Sequence, residues 1–509
     1  MKKLVGLVVV LAALVLGGYY GMGIATERTV KRNLEAVNKT NGLHVNILKY
    51  KRGWFTSTAK LDWLIHVPEH IVKSPDGQSQ TVAAEDYKMQ MPLTIYHGPI
   101  IFANRTVKFG LGYANTDIHL PSQYNEKFNA HFTSESTQPV LDLSLFVSYL
   151  NNSTIEMAVP TFKLIAKDGG QLDWMGMNSS VNVTSDAKKI DGDFTVDGLQ
   201  FSKDDTKAVL GEVTSEYELH KTATGLYLGD ASMSVPSLVI HQKEEKLFEL
   251  TQFDVHSSSD IEDGLFSSHF KSSLEKIMGH GKTYGPGNLE MAIRNLDADV
   301  LGRINQQVNH AQQGTDVEKQ QALLAILPEV PKLFSRGAEF EISELSFTMP
   351  QGTIEGTMLV TLPKGDSSNP FELIQKIQGK SKLRVPAEVV KMVLNQANKQ
   401  KIAAQAATSQ QAPDATTTVA PVTSTTTTTA NTATTTAPAT TAATDTPVAT
   451  TATPDVEVQA AAMTDQQIAS ITQSGLVVKD GDYFVIEVAL EQGNLQVNGK
   501  PFNPAMVKF

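Results

Sequence analysis

The chain has 509 residues, a formal net charge of −11 at pH 7 and a pI of about 5.6. This acidic balance excludes the usual kind of nucleic-acid-binding protein, because neutralising phosphates requires a basic surface. The chain contains no cysteine, which excludes disulfides, thiolate zinc sites and cysteine nucleophiles. Its length predicts two or three folded units.

The N-terminal segment is the most informative part of the sequence. After Met1, Lys2 and Lys3, residues 4–25 are uncharged and mostly apolar, and about 20 such residues cross the hydrocarbon layer of a bilayer as a helix. We predict that residues 1–26 form an N-terminal transmembrane anchor. The alternative is a cleaved signal peptide, with residues 4–16 as its apolar core and residues 23–25 as its cleavage site.

Two further features of this segment bear on orientation and pairing. Tyr19 and Tyr20 are predicted to lie at a membrane interface, where aromatic side chains concentrate. Basic residues flank the segment on both sides, so charge alone barely decides the orientation, whereas the very short N-terminal tail favours export of the body. Gly17 and Gly21 form a GxxxG pattern that permits close helix pairing, and therefore a homodimer through the anchor.

A β-rich body is predicted over residues 27–408. Residues 27–39 continue a helix, and from Gly42 the apolar period changes to two, which is typical of strands. In the stretch YKRGWFTSTAKLDW, Arg52 and Gly53 supply a bend. The alternation then predicts an inward face that carries Phe55, Ala59, Leu61, Trp63, Ile65 and Val67.

Trp54 falls on the opposite parity beside this bend. We predict that it contacts a sheet edge or the mouth of a groove. The same alternation runs to about residue 273 and returns over residues 344–362, without any βαβ rhythm, so the sheet should be antiparallel.

A helical section is predicted near residues 297–406. Asp297 is a candidate N-cap for the first helix, and a second helix should begin near Thr315. Asn369 and Pro370 are predicted to open a third helix, and residues 386–406 a fourth.

The C-terminal part changes composition twice. Residues 409–456 are almost wholly Thr, Ala and Pro, which predicts a disordered insertion because they cannot bury enough apolar area. Residues 457–509 then read as a helix and a hairpin, with Thr464 and Gln467 as a capping box and Gly475 as the helix end. This unit is too small to stand alone, so it should pack back on the body.

No stretch of the sequence predicts catalysis. His66 to His70 spells the H-x-x-E-H metal motif, but Pro68 and the strand pattern before it contradict the helix that the motif needs. The stretch GHGKTYGPG lacks the first glycine of a phosphate-binding loop, because Lys276 occupies that position. We therefore predict no catalytic residue, no metal site and no cofactor.

Several stretches together resemble a known family. KRGWFTSTAKL, IYHGPI, YGPGNLEMAIRNLDADVL, RGAEFEISELSFTMPQG and GNLQVNGKPF are similar, in this order, to the bacterial YdgA-like family, a domain of unknown function. The resemblance covers nearly the whole chain apart from the Thr-rich tract. It implies an inner-membrane protein of a Gram-negative bacterium whose body lies in the periplasm, and it carries no established catalytic residues.

The predicted fold is therefore α+β, with a mainly antiparallel sheet, a helical section and one N-terminal transmembrane helix. The predicted function is a non-enzymatic envelope protein that binds lipid or another hydrophobic envelope molecule in a β-groove, in likeness to AsmA-type sheet proteins. The alternative is a β-rich interaction or assembly module, homodimeric in one form of the hypothesis. A metal-dependent hydrolase is the least favoured reading.

Overall fold

A computed structural model of the protein describes residues 2–38, 43–67, 70–73, 79–103, 105–279, 281–312, 321, 323–365, 375–409 and 456–502. The chain divides into two compact units. Unit 1 comprises Met1–Arg384 and Ile486–Pro501, and unit 2 comprises Val385–Val485 and Phe502–Phe509.

The helices differ greatly in length. They are α1 (Lys2–Val37), α2 (Asn125–His131), α3 (Ala298–Gln312), α4 (Val330–Leu333), α5 (Ala387–Ser409) and α6 (Val456–Gln473).

Strands are the main elements of the chain, and all of them lie in unit 1 apart from residues 385–386, 478–480 and 483–485. They are β1 (Leu43–Arg52), β2 (Thr56–Val67), β3 (His70–Lys73), β4 (Ser79–Val82), β5 (Glu85–His97), β6 (Ile101–Ala103), β7 (Thr106–Lys108), β8 (Gly112–His119), β9 (Val140–Val147), β10 (Ser153–Val159), β11 (Phe162–Ile165), β12 (Gln171–Val183), β13 (Lys189–Lys203), β14 (Thr206–Leu210), β15 (Val213–Lys221), β16 (Tyr227–Gln242), β17 (Glu245–Glu262), β18 (Leu265–Gly279), β19 (Lys282–Tyr284), β20 (Gly287–Asp297), β21 (Glu339–Met349), β22 (Gly352–Thr361), β23 (Gln378–Pro386), β24 (Val478–Asp480), β25 (Tyr483–Glu491), β26 (Asn494–Val497) and β27 (Lys500–Pro501).

The main sheet of unit 1 is a meander. Its path runs β1, β2, β5, β8, β9, β10, β12, β13, β15, β16, β17, β18, β20, β21, β22 and β23, and each described pair along it is antiparallel. Short turns join most neighbours, as an antiparallel arrangement permits. The predicted α+β class with a mainly antiparallel sheet is confirmed.

The best-buried core lies where α1 meets the first strands. Val45, Ala59, Leu61 and Met91 form a buried cluster, and Leu34 of α1 packs against it. Asn38 ties the end of the helix to β1, because its Nδ2 donates to the Val45 carbonyl at 2.9 Å and its Oδ1 accepts from the Val45 N–H at 2.6 Å.

The bend before β2 follows the prediction in part. The Gly53 N–H donates to the Thr56 carbonyl at 2.8 Å, and Leu61 is buried with Trp63 packed against the cluster. The inward placement of Phe55 is wrong, because this side chain precedes β2 and is 52% exposed. Its ring lies 4.8 Å from the Tyr19 ring of α1 instead. Ile65 is also exposed, and Ser57 is a buried member of this face.

The predicted helices have mixed outcomes. Asp297 caps α3 as predicted, since its Oδ1 accepts the Val300 N–H at 3.0 Å. The fourth predicted helix is α5. The starts predicted for the second and third helices, near Thr315 and at Asn369, lie outside the described residues, as do residues 410–455 of the predicted insertion.

The capping box at Thr464 is wrong. Helix α6 begins at Val456, so Thr464 lies inside it, fully buried, and its hydroxyl donates to the Ala460 carbonyl at 2.7 Å. Residues 459–463, QAAAM, are good helix formers and extend the helix backwards. Within unit 2, the buried Asn398 of α5 donates to the Thr464 hydroxyl at 3.0 Å.

No helix among the described residues combines the length and the hydropathy that a membrane crossing needs. The anchor over residues 1–26 therefore stays a prediction.

Candidate functional site

The two faces of the main sheet differ sharply in chemistry. One face of β9 to β22 is largely aliphatic, and we call it the apolar face. Directly opposed residues of an antiparallel pair lie on the same face, so the register assigns its members. One member from each strand is Leu143, Met157, Val181, Phe194, Leu219, Met233, Val255, Phe270, Leu289, Leu345 and Met358.

The opposite face, the polar face, carries charged and hydroxyl side chains. A single row of opposed residues crosses it, namely Ser144, Glu156, Ser180, Asp193, Glu216, Ser232, His256, Lys271 and Glu290. Each of these residues is adjacent in sequence to a member of the apolar face. The sheet is therefore amphipathic across most of its width.

The apolar face has no second layer within the described part of the chain. Between residues 114 and 291, Leu226 is the only described hydrophobic side chain that is buried. Leu145, Tyr227, Met233 and Ile293 on the apolar face are exposed, and most of its other large side chains are half-buried by their neighbours on the sheet. A folded sheet ordinarily buries its apolar face against another element, so this surface is exceptional.

The same face is covered at its first edge. Ile118 of β8 packs against the α1 core cluster and pairs with Leu141 of β9. The register thus continues the surface beneath α1 into the apolar face without a change of side. Helix α1 packs on β1 and β5, so its cover is confined to this edge of the sheet.

Several cavities on the sheet open on the polar face. Two of them have volumes of about 420 and 460 Å³ and are lined mainly by Asp, Glu and Ser side chains. In the second, burial and the nearby Asp117 raise the pKa of Asp142. The sequence predicts a groove lined by apolar side chains. In the structure these apolar side chains form an open face, and the two cavities are lined by polar side chains.

A second feature lies at the corner between α1 and the strand ends. Trp54 is exposed there, and its ring lies 5.3 Å from the Tyr20 ring. Tyr19 is buried, and its hydroxyl donates to the Ile100 carbonyl at 2.6 Å. Its ring approaches Gly98 so closely that an added Cβ would lie 1.9 Å away, which only glycine tolerates.

The corner also holds a buried histidine that sequence reasoning missed. Nε2 of His97 lies 3.1 Å from the Ser57 hydroxyl, both side chains are fully buried, and Nδ1 has no hydrogen-bond partner among the described atoms. Burial lowers the pKa of His97, although the nearby Tyr19 carbonyl acts in the opposite direction. A small apolar cavity of about 340 Å³ lies beside it. The sequence signal was IYHGPI, where the histidine ends a strand before Gly98.

The remaining predicted positions are not brought together. Gly17 and Gly21 lie on the exposed side of α1, where an added Cβ would meet no heavy atom within 4 Å. His66 belongs to β2, and its Nδ1 lies 2.7 Å from the Asp86 Oδ1, whereas His70 begins β3. No group of three or more His, Asp or Glu residues suited to a metal ion occurs in the described ranges.

Comparison with known proteins identifies the family of the chain. A family model for a bacterial protein of unknown function, DUF945, matches residues 1–505. The chain therefore belongs to the DUF945 family. No curated protein and no solved structure matches the chain.

Proposed function

We propose that this chain is a membrane-attached envelope protein that holds the acyl chains of lipid molecules on its apolar face. The observation that carries the proposal is the uncovered, largely aliphatic face from β9 to β22. The proposal includes no catalytic step.

The dimensions of the face suit several acyl chains. Adjacent strands lie roughly 4.8 Å apart, so the apolar face runs for roughly 50 Å along the sheet. With three alternate positions on each strand it is roughly 15 Å wide. Its area thus exceeds the roughly 300–600 Å² of the largest apolar patch on an ordinary monomer.

The chemistry of the face favours lipid chains over a polar ligand. Its side chains are mostly Leu, Val, Ile and Met, which offer dispersion contacts and no charge. Serines interrupt it, but the Ser215 hydroxyl is satisfied by the Ser232 carbonyl at 2.8 Å. The backbone groups of interior strands are paired within the sheet, so a ligand meets side chains rather than open backbone.

The sequence of the N-terminal segment supports the proposed attachment to a membrane. The sequence of residues 4–25 suits a single-pass anchor, with the body in the periplasm as the family resemblance implies. The apolar face continues the surface that α1 covers, so an acyl chain leaving a bilayer beside α1 would meet apolar side chains first.

The test compares two doubly substituted chains of equal added charge. Val181→Asp with Met233→Asp places two carboxylates on the apolar face, whereas Asn182→Asp with Ser232→Asp places them one residue away, on the polar face. Lipid that co-purifies with the full-length chain is measured by native mass spectrometry, and folding by circular dichroism. We expect at least a roughly tenfold loss of lipid in the first variant alone, since a buried charge is strongly disfavoured.

Lipid-free wild-type protein, or equal lipid in both variants, would contradict the proposal. A second candidate function follows from the same uncovered face, which a second copy of the chain could cover as an assembly module. It predicts a lipid-free dimer in light scattering that the apolar-face variant converts to a monomer.

A further inference from the structure

Exposed aromatic and aliphatic side chains gather at the corner where α1 meets the strand ends. They are 42% to 78% exposed, and we call them the collar: Tyr20, Trp54, Phe55, Phe102, Phe109 and Leu150.

Contacts link the parts of the collar to α1. Tyr20 pairs with Trp54, and Tyr19 pairs with Phe55 at 4.8 Å. The Tyr19 hydroxyl holds the Ile100 carbonyl beside the β6–β7 hairpin, which presents Phe102. The hydroxyl of Tyr149, next to Leu150, donates to the Pro99 carbonyl. The collar is thus one surface built on several turns.

Three hairpin turns at the same ends of the strands, farther from α1, are polar. The β12–β13 turn consists of residues 184–188, TSDAK, and the β15–β16 turn of residues 222–226, TATGL, in which Leu226 is buried. The β17–β18 turn is Asp263 and Gly264. The hairpin turns farther from α1 therefore lack the exposed aromatic side chains of the collar, although the long β20–β21 connection exposes Leu323, Leu324 and Leu327.

The charges around the collar are mainly positive in a chain that is acidic overall. The Arg52 guanidinium lies 5.1 Å from the centre of the Tyr20 ring, and Lys108 lies 5.0 Å from that of Tyr113. Arg105 lies in the same hairpin, between Phe102 and Phe109. Glu27 is the acid that faces this group, and it is neutralised by Lys31 at 2.8 Å and Arg52 at 3.1 Å.

We propose that the collar inserts into the interfacial layer of a phospholipid bilayer that contains anionic lipid. Aromatic rings with adjacent cations suit this layer, where ring faces meet acyl chains and cations meet phosphates. The occupant follows from continuity, since α1 runs from the collar towards residues 4–16, which are uncharged and aliphatic in sequence. The inference rests on the proposed attachment through α1, but not on lipid binding by the apolar face.

The three tryptophans provide the test. Trp63→Phe with Trp174→Phe leaves Trp54 as the only tryptophan of the full-length chain, so that excitation at the red edge of tryptophan absorption reports on it alone. The chain is reconstituted in nanodiscs of phosphatidylethanolamine and phosphatidylglycerol whose acyl chains carry bromine near the glycerol backbone. We expect roughly twofold quenching of Trp54 relative to unbrominated nanodiscs, because interfacial rings lie at that depth.

The matched control moves the fluorophore to a corner distant from α1. In the same background, Trp54→Phe with Tyr227→Trp places the single tryptophan beside the β15–β16 turn, at the ends of the strands that also carry the collar. We expect no quenching of this tryptophan. If the background variant does not fold, the difference between wild type and Trp54→Phe measures the same quantity. Unquenched Trp54 in membrane-bound protein would overturn the collar alone, and protein that stays out of the membrane would overturn the attachment as well.

Discussion

The strands β1, β2, β5 and β8 and the strands from β9 to β22 present one continuous face, yet the described residues cover only the first group. Beneath α1 this face holds Val45, Leu61 and Met91, all buried. Beyond β8 it holds side chains of the same kind, such as Leu143 and Val181, which are half-buried. Alternation thus specifies which face is apolar, whereas a separate element decides whether that face becomes a core.

The largest expected effect comes from truncating one leucine in each region. Leu61→Ala should lower the free energy of unfolding by about 2–4 kcal/mol, because it removes buried methyl groups and leaves a cavity. Leu143→Ala should cost about 1 kcal/mol or less, since its side chain is already half in contact with solvent. Chemical unfolding of the delipidated full-length chain measures both.

Equal costs for the two substitutions would break the comparison. They would mean that the apolar face is covered in the delipidated protein, either by a second copy or by chain outside the described ranges. Repeating the measurement with lipid added should raise the cost of Leu143→Ala if acyl chains pack there, because a bound ligand stabilises the folded state that contacts it.

Much of the fold was predictable from the sequence because a period of two is a local signal. Ala59, Leu61 and Trp63 could be assigned to one face, and the absence of βαβ units indicated antiparallel pairing. Phe55 was assigned to the wrong face because alternation does not extend through a bend. Thr464 was assigned as a helix cap because the same spacing of threonine and glutamine, three residues apart, also occurs inside helices. The lack of cover on the apolar face depends on tertiary contacts, which no local pattern reports.

The contact of α1 itself can be tested with two glycines two residues apart. A Cβ at Gly23 would lie 2.7 Å from Cε1 of His97, so Gly23→Ala should displace the helix and cost about 1–3 kcal/mol. Gly21→Ala is the matched control, because its Cβ meets nothing within 4 Å and should add up to about 1 kcal/mol of helix propensity.

Thermal unfolding followed by tryptophan fluorescence measures both glycine variants. If Gly23→Ala were as stable as Gly21→Ala, α1 would not pack on the sheet and the distinction between the covered and the open region would fail. Gly21→Ala separately tests the predicted GxxxG pairing, which would lose its dimer in detergent.

The smallest effect concerns pH in the covered region. Burial holds the pKa of His97 below its ordinary value of 6.5, so in the window below about 6.5 the unfolded chain binds a proton that the folded chain does not. The contribution of His97 to the free energy of unfolding is therefore fully present above pH 6.5 and decreases as the pH falls towards the lowered pKa. The total decrease is about 1.4 kcal/mol for each pH unit by which the pKa is lowered. Below the lowered pKa both states are protonated and the loss stops growing.

The variant His97→Asn isolates this contribution, because asparagine keeps a polar partner for Ser57 but does not titrate. The wild-type melting temperature should fall more than that of the variant between about pH 7.5 and about pH 5. Parallel pH profiles would mean that His97 is solvated in the folded chain, and hence that α1 leaves the corner open. Leu143→Ala on the apolar face removes no titrating group, so this variant should share the wild-type pH profile, which separates the two regions a second time.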